Sequence, residues 1–321
     1  MKKFLILVLM AIVTASCDDG IIKVENLNFA DVTTQSCGNL VYKLNESEAL
    51  IISLPDIAYN TAFAKAPTPA NQPISISISA DNRVIYRFYD GPVESETLCN
   101  VIPPLNPKAQ EEWIGISGTM QITTTPIIEE NTDFEGGQKI TGYRHQITFK
   151  NITFQKEGGN QLYDTFVFGV FQQSITPISL VFDEELEKCP NSNLIFNIAG
   201  SAAFTLNIDP ALIQNQVTPL NQPRIGYIKE DINILKYTKL AAIIPADYFC
   251  GATIPTVPAV LESYTANVGV PAISGIIEVT TTTNGTGFLH EIHLKKVTLK
   301  SELGTSFLLA DDYLYGELIT N

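Results

Sequence analysis

Apolar residues along much of this chain recur at every second position. Ile74, Ile76 and Ile78 alternate with Ser75 and Ser77, the period of a strand with one buried face. Residues 84–89 and 118–125 are rich in β-branched and aromatic side chains, which favour strands. In residues 145–154 the apolar slots are Ile147, Phe149, Ile152 and Phe154, with a change of phase at Lys150 and Asn151. A bulge or a short break produces such a shift. Residues 166–171 form an apolar closing strand that holds Gly169, and residues 314–319, holding Gly316, are its counterpart. Helical signals are short and fall at 109–113, 183–188 and 210–215. Many short strands separated by turn residues predict an all-β chain of sandwiches or barrels.

The strand pattern repeats. CGNLVYKLNESEALIISLP from Cys37 is echoed by CPNSNLIFNIAGSAAFTLNID from Cys189, and Asn71-Gln72-Pro73 by Asn221-Gln222-Pro223. Cys99 and Cys250 each precede a proline-rich stretch, NVIPPLNP and GATIPTVP. ISGTMQITTT from Ile116 returns as ISGIIEVTTT from Ile273, and HQITFKNITF from His145 as HEIHLKKVTL from His290. Order is kept throughout, so an internal duplication is expected. The expected organisation is two tandem homologous β-sandwich domains, Ig-like or jelly-roll-like, at 24–175 and 176–321, meeting near 174–177.

Ahead of them, Lys2 and Lys3 precede an unbroken apolar run over residues 4–13. That run is too short to span a bilayer and suits a secretory signal peptide, residues 1–16. Thr14, Ala15 and Ser16 then lead into Cys17, followed by Asp18 and Asp19. Small residues ending at a cysteine resemble the lipobox of bacterial lipoproteins, although Thr14 replaces the usual Leu. An acidic pair directly after that cysteine resembles the export signal of surface-exposed Bacteroidota outer-membrane lipoproteins. The resemblance implies that Cys17 is acylated, that residues 17–23 are an acidic tether, and that the protein faces outward on the outer membrane, held by lipid alone.

With Cys17 given to lipid, four cysteines remain, and four allow three connectivities. Cys37 and Cys99 occupy the same places in the first repeat as Cys189 and Cys250 in the second. The simplest pairing is one bridge inside each domain; a swap between domains is the alternative. An exported chain is free to form either.

The chain has 321 residues and a formal net charge of −14. Loss of Lys2 and Lys3 with the leader takes this to −16. Clustered basic residues are what nucleic acid requires, so it is not an expected partner. His145 and His290 open the same strand of the two repeats, which points to structure. His290 and His293, three apart on a strand, face opposite sides of the sheet, so no metal site is expected there. Neither a G-x-S-x-G elbow nor a phosphate-binding glycine loop occurs.

Two candidate sites follow. Glu129, Glu130, Asp133 and Glu135 lie in EENTDFEGG, an insertion that the second repeat replaces with the tight NGTG turn. Hard oxygen ligands on a glycine-bearing loop suit Ca²⁺; the alternative is a solvated hairpin tip. Trp113 is the sole tryptophan and sits in the polar stretch NPKAQEEW, which predicts exposure. With Tyr86 and Tyr89 it makes a candidate sugar-binding surface, the alternative being core packing. Apart from Cys17's lipid, no cofactor is expected. The leading functional expectation is a non-enzymatic surface lipoprotein, a binding, scaffold or accessory subunit of an outer-membrane protein complex. Second is a glycan-binding accessory lipoprotein, because the layout resembles the tandem-sandwich lipoproteins that assist Bacteroidota polysaccharide uptake. Third is an extracellular hydrolase.

Overall fold

The computed structural model describes residues 27–321. The leader, Cys17, Asp18 and Asp19 therefore lie outside the described residues. The described chain is all-β, with several antiparallel sheets and two short helices, Asp56–Ala62 and Ser95–Cys99.

In the first half, β1 (Gln35–Cys37), β2 (Leu40–Asn45), β3 (Glu48–Ser53), β5 (Arg83–Tyr89), β6 (Ala109–Glu130), β7 (Gln138–Lys156) and β8 (Gly159–Ser174) pair in that order, and β4 (Ile74–Ser77) joins β6. The early part of β6 pairs with β5 and a later part with β4. Between them lie register shifts at Gly115, Ser117 and Thr119. Gly118 has φ +117°, and a side chain there would collide with the Asn151–Ile152 backbone. The strand bends at this point and serves two layers. One core cluster accordingly unites Val41, Leu50 and Ile52 with Ile147, Phe149 and Phe168.

Each long strand of the first half corresponds to two strands in the second. The seven-stranded sheet runs β18 (Ser306–Leu308), β17 (Thr298–Ser301), β14 (Val260–Ala266), β13 (Ile234–Leu240), β11 (Ala202–Asn207), β10 (Leu194–Ala199) and β9 (Glu187–Lys188). The four-stranded sheet runs β12 (Arg224–Tyr227), β15 (Ile276–Asn284), β16 (Gly287–Lys295) and β19 (Asp312–Thr320). The phase change read at Lys150–Asn151 is real. Asn151 has φ 51°, and Lys296, between β16 and β17, has φ 50°. With that kink, Ile147, Phe149, Ile152 and Phe154 all point inward at 0% exposure.

Three helical readings are corrected. Residues 109–113 open β6, with Trp113 opposite Tyr86 and Glu111 opposite Phe88. Residues 183–188 run extended beside β19, through a bridge of Glu185 to Glu317, into β9. Residues 210–215 are successive turns. Propensity contributes little over five or six residues, and where a neighbouring strand offers a ladder, as β5 does to residues 109–113, strand pairing prevails.

The two halves are joined by more than a linker. The β6–β7 hairpin projects beyond its own half, and Ile140 and Tyr143 belong to the second half's core cluster. Phe134 at the hairpin tip packs on that cluster, its ring 5.1 Å from Tyr313. Asp311 donates its backbone N–H to the Glu135 carbonyl at 2.9 Å, and Leu308 to the Gln138 side-chain carbonyl at 3.0 Å. Ile175, Ile178, Leu180 and Phe182, directly after β8, pack into the same core.

Candidate functional site

The aromatic candidates do not form a surface. Trp113 is 0% exposed, and Tyr86 and Tyr89 are also buried. The Trp113 indole N–H donates to Glu111 Oε1 at 2.7 Å, Tyr86 lies 4.8 Å away ring to ring, and the Lys156 ammonium sits 4.2 Å over the indole. The Tyr86 hydroxyl donates to Glu48 at 2.5 Å. Tyr89 belongs to a separate cluster, with Tyr42, Ile51 and Ile85, on the opposite face of the sheet. Strand parity decides this. Residues 86 and 113 are ladder partners and share the inner face, whereas 89 has the other parity.

The acidic insertion is the hairpin tip that docks on the second half. Glu129 and Glu130 stand in the ladder opposite Lys139 and Gln138. Asn131 and Gly137 close the turn, and the tip is aimed by Phe134. All four carboxylate-bearing residues are exposed. Among the described residues, no group of three or more His, Cys, Asp or Glu is placed to hold a metal ion. Gly136 has φ +68°, a left-handed conformation at the tip that glycine adopts without strain.

The histidines sit in matched networks. In the first half, Thr124 Oγ1 lies 2.8 Å from His145 Nδ1, while the Thr124 N–H donates to Thr68 Oγ1 at 3.0 Å. In the second half, Thr281 Oγ1 lies 2.8 Å from His290 Nδ1, and the Thr281 N–H donates to Thr218 Oγ1 at 3.1 Å. Arg224 also donates to Thr281 Oγ1 at 2.7 Å. Thr320 Oγ1 donates its hydrogen to Asn215 Oδ1 at 2.6 Å, so it accepts from His290 Nε2 at 2.9 Å, and Nδ1 is left to accept from the Thr281 hydroxyl. The first half breaks the match. Gln173 stands where Thr320 stands, and the buried His145 Nε2 and Gln173 Oε1 have no partner among the described residues. Burial lowers the His145 pKa to about 4; burial and then Arg224 lower that of His290. These rings fasten strands together. His293 is different. It pairs with Asp312 at 2.7 Å and Glu291 at 3.1 Å at the surface.

Sequence reasoning missed Lys43. It is 2% exposed, and its ammonium donates to the Phe29 carbonyl at 2.7 Å. Burial pushes its pKa down. Asn197 stands in for it in the second half, donating to the Asp183 carbonyl. Each group holds down the segment that enters its half.

Disulfides join Cys37 to Cys99 and Cys189 to Cys250, each within its half. Immediately after Cys99, the proline-rich loop exposes Val101 at 101%, Ile102 at 83% and Leu105 at 88%. After Cys250, Ile254 and Val257 are similarly exposed. Val101, Ile102 and Leu105 thus form an exposed apolar run on a loop that follows directly on a disulfide.

A second feature lies between the halves. A cleft of about 890 Å³ is bounded on one side by Lys65, Tyr143 and residues 174–176, and on the other by β13, β14 and residues 301–303. Lys236, Lys239, Glu262, Ser263 and Tyr264 line the second side. Lys239 and Glu262 are direct partners across the ladder, as are Tyr237 and Tyr264. Burial, reinforced by the nearby Glu262 carboxylate, raises the pKa of Tyr143, of Tyr264 and of Tyr237, the last to about 12. No helix of the described residues is long and apolar enough to cross a membrane. Comparison with protein-family models, with curated proteins and with solved structures gave no match.

Proposed function

We propose that this protein is a non-enzymatic surface lipoprotein, acylated at Cys17 and exported through Asp18 and Asp19, that serves as a binding subunit of an outer-membrane protein complex. Its body is a pair of tandem homologous β-sandwiches. Support for the duplication comes from strand orders that match element by element, and from the two Thr–Thr–His networks. Phe29 against Tyr86 and Phe182 against Tyr237 add a matching ring contact, each at 6.4 Å.

The observation that carries the binding reading is the pair of disulfide-braced, proline-rich loops. Proline and the adjacent bridge remove much of the loop's freedom in advance, so less ordering entropy opposes association. Apolar side chains then gain by leaving water, about 25 cal/mol for each Å² buried. The partner surface is apolar protein. A glycan partner held on aromatic platforms has less support, because Trp113, Tyr86 and Tyr89 are buried.

The test is affinity capture from detergent-solubilised outer membrane, with the intact chain against a variant carrying Val101→Ser, Ile102→Ser and Leu105→Ser. A stoichiometric membrane protein recovered by the first and lost by the second is expected. Equal recovery by both moves the contact elsewhere. Palmitate labelling that survives Cys17→Ser would remove the lipoprotein assignment.

A further inference from the structure

We infer that the first half binds one internal water molecule between His145 and Gln173, in the place that the Thr320 hydroxyl takes in the second half. The site lies inside the sheet, so it stands or falls independently of what the proline-rich loops bind.

The repeat supplies the first argument. In the second half, Arg224 donates to Thr281 Oγ1, His290 Nε2 meets Thr320 Oγ1, and Thr320 passes its hydrogen on to Asn215 Oδ1. All three partners change in the first half. Arg224 directly follows the repeated Asn-Gln-Pro, where the first half has Ile74. Asn215 stands six residues before that tripeptide, where the first half has Lys65. Thr320 pairs in the ladder with Phe288, two before His290; Gln173 pairs with Tyr143, two before His145. Isoleucine offers no donor and an ammonium no acceptor, so the chain of bonds cannot be copied.

The second argument is what remains unpaired. His145 is 0% exposed. Its Nε2 and the Gln173 Oε1 are both buried, and neither has a hydrogen-bond partner among the described residues, so they do not bond each other. The imidazole cannot turn away to find one, because Phe63 lies 5.3 Å from it edge-on and Phe171 5.7 Å from it in a stack. Buried polar groups are nearly always satisfied, by protein or by ordered water.

The third argument is that the two atoms are of opposite sense. The Thr124 hydroxyl has His145 Nδ1 as its acceptor at 2.8 Å. Nδ1 is therefore bare, and the ring proton sits on Nε2 as a donor. Gln173 Oε1 is an acceptor. The two residues are diagonal neighbours on one face of the β7–β8 ladder, the same diagonal across which His290 reaches Thr320. A water that accepts from Nε2–H and donates to Oε1 satisfies both, and two bonds meet the minimum for a buried water. Solvent is close at hand. Lys65, Tyr143 and Ser174, which are the counterpart of Asn215, the ladder partner of Gln173 and its chain neighbour, line the cleft between the halves.

Nitrogen-15 NMR of the full chain in detergent, labelled at its three histidines, tests this. For the resonances that His145→Gln removes, a proton on Nε2 and none on Nδ1 is expected. That proton should show a nuclear Overhauser effect to a long-lived water. Oxygen-17 relaxation dispersion counts such waters. Gln173→Thr with Lys65→Asn rebuilds the second half's chain in the first and should lower the count by one. If this double variant does not fold, the water contact of the Nε2 proton in the intact chain carries the test. A bare Nε2, an Nε2 proton that contacts the Gln173 side chain and no water, or an unchanged count in the folded double variant would each overturn the inference.

Discussion

His145 shows how much a single buried side chain binds to its pH. Its pKa falls from 6.5 to about 4 because the charged ring would be cut off from water. The neutral form is the native form. Below pH 6.5 the unfolded chain takes up a proton that the folded chain refuses, so stability is intact above that pH and declines as pH falls towards 4. The shift is worth about 3 kcal/mol. His290, shifted in the same direction, adds to the loss. Urea midpoints measured between pH 7 and 4 should fall steadily, and His145→Gln should flatten the profile below pH 6.5. Trp113 gives a second check at this scale. As the sole tryptophan, buried at 0% exposure, it should emit at a blue-shifted wavelength and resist acrylamide quenching. Trp113→Ala should cost about 3–5 kcal/mol in chemical denaturation. The local sequence NPKAQEEW suggested exposure because it is polar. What settles the position of Trp113 is its ladder partner Tyr86, well upstream along the chain and silent in any local window.

At the scale of the element, alternation was readable and helix was not. Ile74, Ile76 and Ile78 are more buried than Ser75 and Ser77, as their period requires. The kink at Asn151 was visible because the apolar slots jump by three where the strand continues. Residues 109–113 lack any such marker: good helix formers lie in β6 because β5 supplies their ladder partners. The cysteines were readable because they obey the repeat rather than the local pattern. Each bridge closes a long loop, with sequence separations of 62 and 61. Cys37→Ala with Cys99→Ala should therefore lower stability by about 4 kcal/mol in the chain-entropy model, measured by guanidinium unfolding. The cost should fall on the first half, where the bridge covers the Tyr42, Ile51 and Ile85 cluster.

Across the whole molecule, the difference between the two halves matters more than their likeness. Only the first carries the insertion, and its tip and flanks, Phe134, Ile140 and Tyr143, are absorbed into the second half's core. EENTDFEGG gave its composition away but not its destination. Acidic residues advertise solvent, and the single Phe134 that aims the tip is outnumbered in any local average. The cleft was equally illegible, since Lys65 and Lys239 lie far apart in sequence and meet only once the halves dock. The docking predicts cooperativity. The intact protein should unfold in one calorimetric transition, and Phe134→Ser with Ile140→Ser should split it into two, each half melting by itself.

The shared core also sets a timetable for biogenesis. Gln138 and its partner Leu308 are 170 residues apart, so a chain made at about 5–20 residues per second leaves the arm unaccompanied for on the order of 10 to 30 s. Through that interval Phe134, Ile140 and Tyr143 present an apolar strip whose counterpart does not yet exist. Until the second half is made the strip is open to other apolar surfaces, and a copy terminated after its first half would keep it uncovered for good.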